Sequence, residues 1–349
     1  MPSATSRTQY PPFPSSTLPT APLLSLSLHA LETNSGEEST RFFTAAKELG
    51  FFYLSTSGSQ LGEELIAEAE QLHELEKKFF LLDNGEKGEF AREKVDAFFG
   101  YRFGEIEGGK GGRNESYNMR KDDFLSNCSP LPQPRIIKDH WTLLQSYTRH
   151  CRQVIDLLIT HLEVHLQLPV GTLASLHRVG ERSGDHVRFN QAGVQPFSEE
   201  AARAGEHTDF GTLTLLVNWL GGLQIRHPVS DEWVYVEPIP GHVIVNLGDA
   251  LVKFTAGLLR SNVHRVVPPP YPQDGLVRNS LVYFSRPEDA VVLRRLKGGL
   301  IDQQPRNPEL EEEMTSQEWI QRRSLGDLKG VYTHSRGLES RMAMVPGRV

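Results

Sequence analysis

Glu206-His207-Thr208-Asp209-Phe210-Gly211-Thr212-Leu213-Thr214-Leu215-Leu216-Val217 is the stretch on which the reading of this chain turns. Its second half has the β-branched, apolar character of a buried strand. If that strand begins near His207, alternation sends His207 and Asp209 to the same face. An imidazole and a carboxylate then stand side by side, where one metal ion can take both without straining the backbone.

Outward from this pair come Leu223-Gln224-Ile225-Arg226-His227, Trp233-Val234-Tyr235-Val236-Glu237 and His242-Val243-Ile244-Val245-Asn246, each bounded by Gly, Pro or Asp. Closely spaced strands with such turn signals predict an antiparallel sandwich or barrel. A barrel can return the β-branched run around His264 to the His207 segment. Two histidines and one carboxylate with open coordination positions make the facial triad that holds Fe(II) in non-haem oxygenases. The same three donors could hold zinc. In Val277-Arg278-Asn279-Ser280-Leu281-Val282-Tyr283-Phe284, however, Arg278 and Ser280 share a face. A guanidinium fork beside a hydroxyl is suited to gripping a carboxylate, a role the zinc reading leaves empty.

In this order and spacing, His207-x-Asp209, His264 and Arg278-x-Ser280 resemble the 2-oxoglutarate- and Fe(II)-dependent dioxygenases of the isopenicillin N synthase-like superfamily. The resemblance implies an α+β, mainly β fold: a double-stranded β-helix (jelly-roll) barrel with buttressing helices and a helical N-terminal region. It implies Fe(2+) on His207, Asp209 and His264, with 2-oxoglutarate as cosubstrate and O2 as oxidant. The distal carboxylate of the oxoacid would lie on Arg278 and Ser280. Family members often carry Arg-x-Asn-x-Tyr before the first metal ligand, and here Arg188 and Asn190 stand with Gln191, Ala192 and Gly193 where the tyrosine would follow. Asn190 therefore joins the cosubstrate candidates. Arg188, Phe284 and Tyr101 are candidates to touch substrate, Phe284 because it shares the Arg278 face and Tyr101 because its surroundings resemble the family's substrate border. No catalytic residue beyond the metal ligands is expected.

The function so implied is oxidation of a small molecule by hydroxylation, desaturation or ring formation or rearrangement, in natural-product or amino-acid-related metabolism, with release of succinate and CO2. Two other readings stay open. One is an isopenicillin N synthase-like oxidase that uses the triad without the oxoacid, and the other a catalytically silent small-molecule-binding barrel.

The remaining sequence fits this frame. Its 349 residues exceed the usual compact unit, but one barrel with helical extensions accommodates them. With 37 basic and 44 acidic residues, a net charge of −7 and no basic patch, nucleic acid is not an expected partner. Cys128 and Cys151 form no framework, which fits a reducing, cytoplasmic setting. The first twenty residues lack a signal-peptide layout, the apolar run from Pro22 to Leu28 is too short to span a membrane, and a monomer is compatible with all of this. The expected divisions are a disordered leader (1–20), an N-terminal α/β region (21–130), a long supporting helix (131–177), the jelly-roll core (178–290) and a C-terminal helical extension (291–349).

Apolar spacing predicts helices over 38–49, with Gly50 as C-cap, over 60–82 and over 136–168. Strands are expected within 22–28 and at Phe51–Leu54, and a helix from Met314 capped by Thr315 or Ser316. Gly108-Gly109-Lys110-Gly111-Gly112 lacks the Ser or Thr that a phosphate cradle needs after its lysine, so it reads as a mobile loop at the pocket mouth. His161 and His165 share a helix face but lack a glutamate directly after the first histidine, so they read as a solvent-facing or partly packed pair. His186, His227, His242 and His334 read as surface or satisfied core histidines.

Overall fold

The computed structural model describes residues 10–104, 114–310 and 312–328. Its strands, in chain order, are β1 (Ser25–Ser27), β2 (Phe51–Ser55), β3 (Gly100–Gly104), β4 (Asn114–Arg120), β5 (His186–Ala192), β6 (Leu213–Asn218), β7 (Leu223–Arg226), β8 (Trp233–Tyr235), β9 (His242–Leu247), β10 (His264–Val266) and β11 (Arg278–Ser285). Eight of them form one sheet in the order β1-β2-β9-β6-β11-β5-β4-β3, and β10-β7-β8 form a second. An antiparallel bridge from His207 to His264 adds the metal-ligand segment to the smaller sheet. Between the sheets, Phe51, Tyr53, Leu216 and Ile244 meet Leu223, Ile225 and Val234. This is the jelly-roll barrel, closed at that end by side chains.

The opposite face of the large sheet is apolar. Tyr117, Val187, Phe189, Leu215, Val245, Leu281 and Tyr283 share one core with Leu72, Phe79, Tyr147, Cys151 and Leu158 of helices Gln60–Phe80 and Trp141–His165. Period-2 strands laid against period-3.6 helices explain why both sequence patterns were readable. The expected 136–168 helix is two pieces, Arg135–Lys138 and Trp141–His165, with Asp139 and His140 between them. His161 and His165 both meet the Ser39 hydroxyl at 2.8 Å, so the pair joins two helices instead of holding a metal.

Gly50 ends helix Gly36–Glu48 at φ +67°, a conformation that favours glycine. A Cβ there would stand 2.1 Å from the Arg260 carbonyl oxygen, so the turn into β2 has no room for a side chain.

Two expectations about organisation need correction. Residues 1–9 and 105–113, which hold much of the expected leader and all of the Gly-rich loop, lie outside the described residues, as does His334. Residues 10–20, placed in that leader, instead lie on the barrel: the Tyr10 hydroxyl is 2.9 Å from His73 Nε2, the Phe13 ring 6.0 Å from that of Tyr235, and Thr20 bridges Tyr235. The aromatic Tyr10 and Phe13, scattered in a Pro- and Ser-rich run, carry no periodic signal but do bury apolar area. Furthermore, β1 to β4 come from the N-terminal region, and β2 pairs with β9 and β4 with β5 of the core, so one sheet runs across the expected boundary near 178.

Candidate metal centre and cosubstrate pocket

The strand that follows the metal pair begins only at Leu213, so His207 and Asp209 do not owe their shared direction to strand alternation. His207 is fixed by paired backbone hydrogen bonds with His264, 3.0 and 2.9 Å, and Asp209 sits in the turn that follows. The donors nonetheless converge. His207 Nε2 and His264 Nε2 stand 3.9 and 3.8 Å from Asp209 Oδ1, and one ligand atom from each residue falls within 4.8 Å of the others.

Neighbouring groups orient each ligand. A backbone carbonyl can only accept, so the contacts from His207 Nδ1 to Gly205 O, 2.8 Å, and from His264 Nδ1 to Asn262 O, 3.1 Å, place the proton on Nδ1 in both rings. That tautomer leaves the Nε2 lone pair for a metal. Asp209 Oδ2 accepts from the Thr214 hydroxyl and the Asn246 amide, both at 2.6 Å, which turns Oδ1 toward the imidazoles. Burial alone would raise the Asp209 pKa, but His264, His207 and these two donors hold it below its ordinary value. The site is thus built for an anionic oxygen with two neutral imidazoles, which fits a divalent iron and its facial triad.

Deeper in the barrel, Arg278 lies on β11 with Ser280 two residues on, and Asn190 of β5 stands directly opposite Ser280. Arg278 Nη1 and Asn190 Nδ2 both reach Ser280 Oγ at 3.4 Å, while Arg278 Nε donates to the Gly221 carbonyl at 2.8 Å. Among the described residues no carboxylate lies within ion-pair distance of this buried guanidinium. Burial pushes its pKa down to about 10, with the distant Glu76 pulling upward. Burial raises the pKa of Glu76 and lowers that of its neighbour His73, 2.7 Å away, to about 3. A buried arginine without a counter-charge is an anion site.

Of the substrate candidates, Arg188 and Phe284 lie on the barrel face, the Arg188 guanidinium 4.7 Å over the Phe284 ring and its Nε donating to Asn118 Oδ1 at 2.7 Å. Tyr101 does not belong with them. Its register with Tyr117 and Phe189 puts it on the helix face of the sheet, where its hydroxyl donates to Glu115 at 2.6 Å. Resemblance of local sequence gave no strand parity there, and parity decides the side.

Sequence reasoning passed over Thr214 and Asn246, which orient Asp209, and over Arg92, Phe98 and Arg286 around Phe284. Strand parity was a usable signal for Arg286, which continues the 278-280-282-284 series one residue past the end of β11. His186, read as a satisfied core residue, instead stacks on Phe284 on the barrel face, centroids 4.7 Å apart, with Nε2 unpartnered.

The family model described as "2OG-Fe(II) oxygenase superfamily" matches residues 174–287, which contain all three metal candidates and Arg278. Residues 174–287 belong to the 2OG-Fe(II) oxygenase superfamily. The chain is 29% identical over 310 residues to a 2-oxoglutarate-dependent dioxygenase of Aspergillus fumigatus, covering 82% of this chain and 80% of that protein. A 2-oxoglutarate-dependent dioxygenase of Glarea lozoyensis is 28% identical over 287 residues, 80% of this chain and 84% of that one. In fold, this chain is similar to a full-length Neurospora crassa protein solved in complex with alpha-KG: TM-score 0.70, 22% identity, 87% of this chain and 96% of that chain. No helix among the described residues is long and apolar enough to cross a membrane.

Proposed function

We propose that this chain is a 2-oxoglutarate- and Fe(II)-dependent dioxygenase that oxidises a small molecule, with His207, Asp209 and His264 as the iron ligands and Arg278, Ser280 and Asn190 as the cosubstrate anchor. Iron(II) held there with 2-oxoglutarate would supply, with O2 as the four-electron oxidant, oxidative decarboxylation to succinate and CO2 coupled to the two-electron oxidation of substrate. The protein's own part is positional. The carbonyls of Gly205 and Asn262 fix the imidazole tautomers, and Thr214 with Asn246 fix the carboxylate oxygen that faces the metal. Arg278 offers its remaining donors to one end of a dicarboxylate, whose other end would then reach the triad. The walls of the barrel exclude water and hold the reacting C–H bond in place.

The single observation that carries this reading is the convergence of the three donors in one barrel with a buried, carboxylate-free arginine on the facing strand. That arginine favours the oxoacid over an oxidase that dispenses with it. An oriented triad with its tautomers set likewise has no use in a silent binding barrel. The proposal keeps a natural-product or amino-acid-like substrate and a cytoplasmic setting, the latter supported by two unpaired cysteines. Its test is aerobic incubation of the iron-loaded protein with 2-oxoglutarate and a cell metabolite extract. Succinate formed in step with oxygen uptake is expected. Oxygen uptake without succinate would favour the oxidase, and neither signal would favour the silent barrel.

A further inference from the structure

The barrel face beside the triad carries more positive charge than the cosubstrate needs. Arg286 is buried and lies against the metal loop: a Cβ on Gly211 would stand 2.9 Å from Arg286 Cγ, and the guanidinium sits 6.0 Å from the Phe210 ring. It also stacks 4.5 Å over Phe98, and Arg92 approaches that ring from 5.9 Å. Arg188 stacks on Phe284, two residues before Arg286. Arg286 and Arg92 thus lie over Phe98 and Arg188 over Phe284, an arrangement in which Arg286 and Arg92 can turn N–H edges to a ligand.

The pairing of Arg286 and Arg92 is incomplete. Arg286 Nη1 donates to the Gly184 carbonyl at 3.2 Å, and Arg92 Nη2 reaches the Ser116 hydroxyl at 3.5 Å. Arg286 Nε and Arg92 Nε are both buried without a hydrogen-bond partner. Among the described residues no carboxylate forms an ion pair with Arg92 or Arg286. Buried like charges repel, and folding tolerates them where a site expects an opposite charge from outside. The pKa values carry that tension. Burial, then Arg188, push Arg286 down to about 9 against the pull of Asp185, Asp209 and Asp289. Burial, then Arg188 and Arg102, push Arg92 to about 9 against Glu93. His186, stacked between Phe284 and the edge of Phe98, is held neutral by its burial and by Arg286 and Arg188, so it adds a dry polar edge without charge.

We propose that the oxidised substrate is a small organic carboxylate, with its charge received by the edges of Arg286 and Arg92, assisted by Arg188, on the barrel face next to the metal triad. The anchor is distinct from the cosubstrate anchor: Arg278 begins β11 and Arg286 lies just past its end. The carboxylate is bound at a fixed point by directional donors, and the rest of the molecule extends toward the iron. This inference rests on the proposed oxygenase function and names the class of its substrate.

The test uses the full chain loaded with Mn(II), which is redox-inert here, and 2-oxoglutarate. Calorimetric titration compares phenylacetate and cinnamate with phenylacetamide and cinnamamide. The acids are expected to bind at least about tenfold more tightly than their amides, the advantage of charge-assisted over neutral hydrogen bonds. In Arg286→Gln, and in the less buried Arg92→Gln should the first variant fold poorly, that preference should fall to within about twofold. Both variants should still take up 2-oxoglutarate, whereas Arg278→Gln should weaken 2-oxoglutarate binding roughly 10- to 100-fold while the wild-type preference for acids persists. Acids that bind no better than amides, that fail to bind, or that compete with 2-oxoglutarate instead of adding to it would overturn the proposal. Wild-type protein that fails to bind 2-oxoglutarate at all would overturn the oxygenase reading, and this inference with it.

Discussion

The two faces of the large sheet are made from the same strands yet obey different rules. On β11, Leu281 and Tyr283 turn to the helices and are fully buried in one apolar core, while Arg278, Ser280, Val282 and Phe284 turn into the barrel. On β5, Val187 and Phe189 stand with the first group and Arg188 and Asn190 with the second. The helix face pairs its buried Arg152 with Asp185, whereas the barrel face buries Arg278 without a carboxylate and the His186 Nε2 edge without a partner. Unsatisfied polar groups are costly to bury. Buried guanidiniums without a counter-charge on the barrel face separate the part of the sheet that awaits ligands from the part that holds the fold.

The sharpest way to break this comparison is to alter the barrel face where the metal would sit. Asp209→Ala should abolish succinate formation, a loss of at least about a thousandfold, while thermal unfolding of the metal-free protein stays close to wild type. A variant that turns over, or that unfolds with the loss of Asp209, would merge the two faces into one. Leu281→Ala is the mirror-image change. It should lower stability by about 2–5 kcal/mol in denaturant titration, the usual range for truncating a buried leucine, while the folded protein still binds metal. Arg278→Ala should raise the 2-oxoglutarate requirement roughly 10- to 100-fold, from the loss of charge-assisted bonds of about 1.5–3 kcal/mol, with little change in the maximal rate. The smallest effect belongs to Tyr101→Phe. It removes a hydroxyl bond on the helix face and should cost about 1 kcal/mol of stability with no change in KM. A changed KM would return Tyr101 to the substrate site.

Legibility in the sequence followed the same division. The metal donors and Arg278 were readable because their chemistry is rare in combination and their order fixed, even though the strand supposed to align His207 with Asp209 starts later, at Leu213. A backbone bridge to His264 does the aligning instead, and no local pattern announces a pairing between segments so far apart. The helices over 38–49 and 60–82 were readable because an apolar stripe repeats along them. Tyr101 was misplaced because a five-residue strand beside a loop gives too little alternation to fix its parity. Phe98 lies outside the helices and strands and Arg92 in a four-residue helix. Neither position carries periodicity, so their meeting with Arg286 shows only once the strands are in place. Tyr10 and Phe13 went unread for the same reason.

The central claim concerns where iron binds, and anomalous scattering at the iron edge from anaerobically grown Fe(II)-loaded crystals addresses it most directly. A single strong peak should appear about 2 Å from His207 Nε2, Asp209 Oδ1 and His264 Nε2. Iron bonded elsewhere, or to fewer than all three of these atoms, would contradict the account.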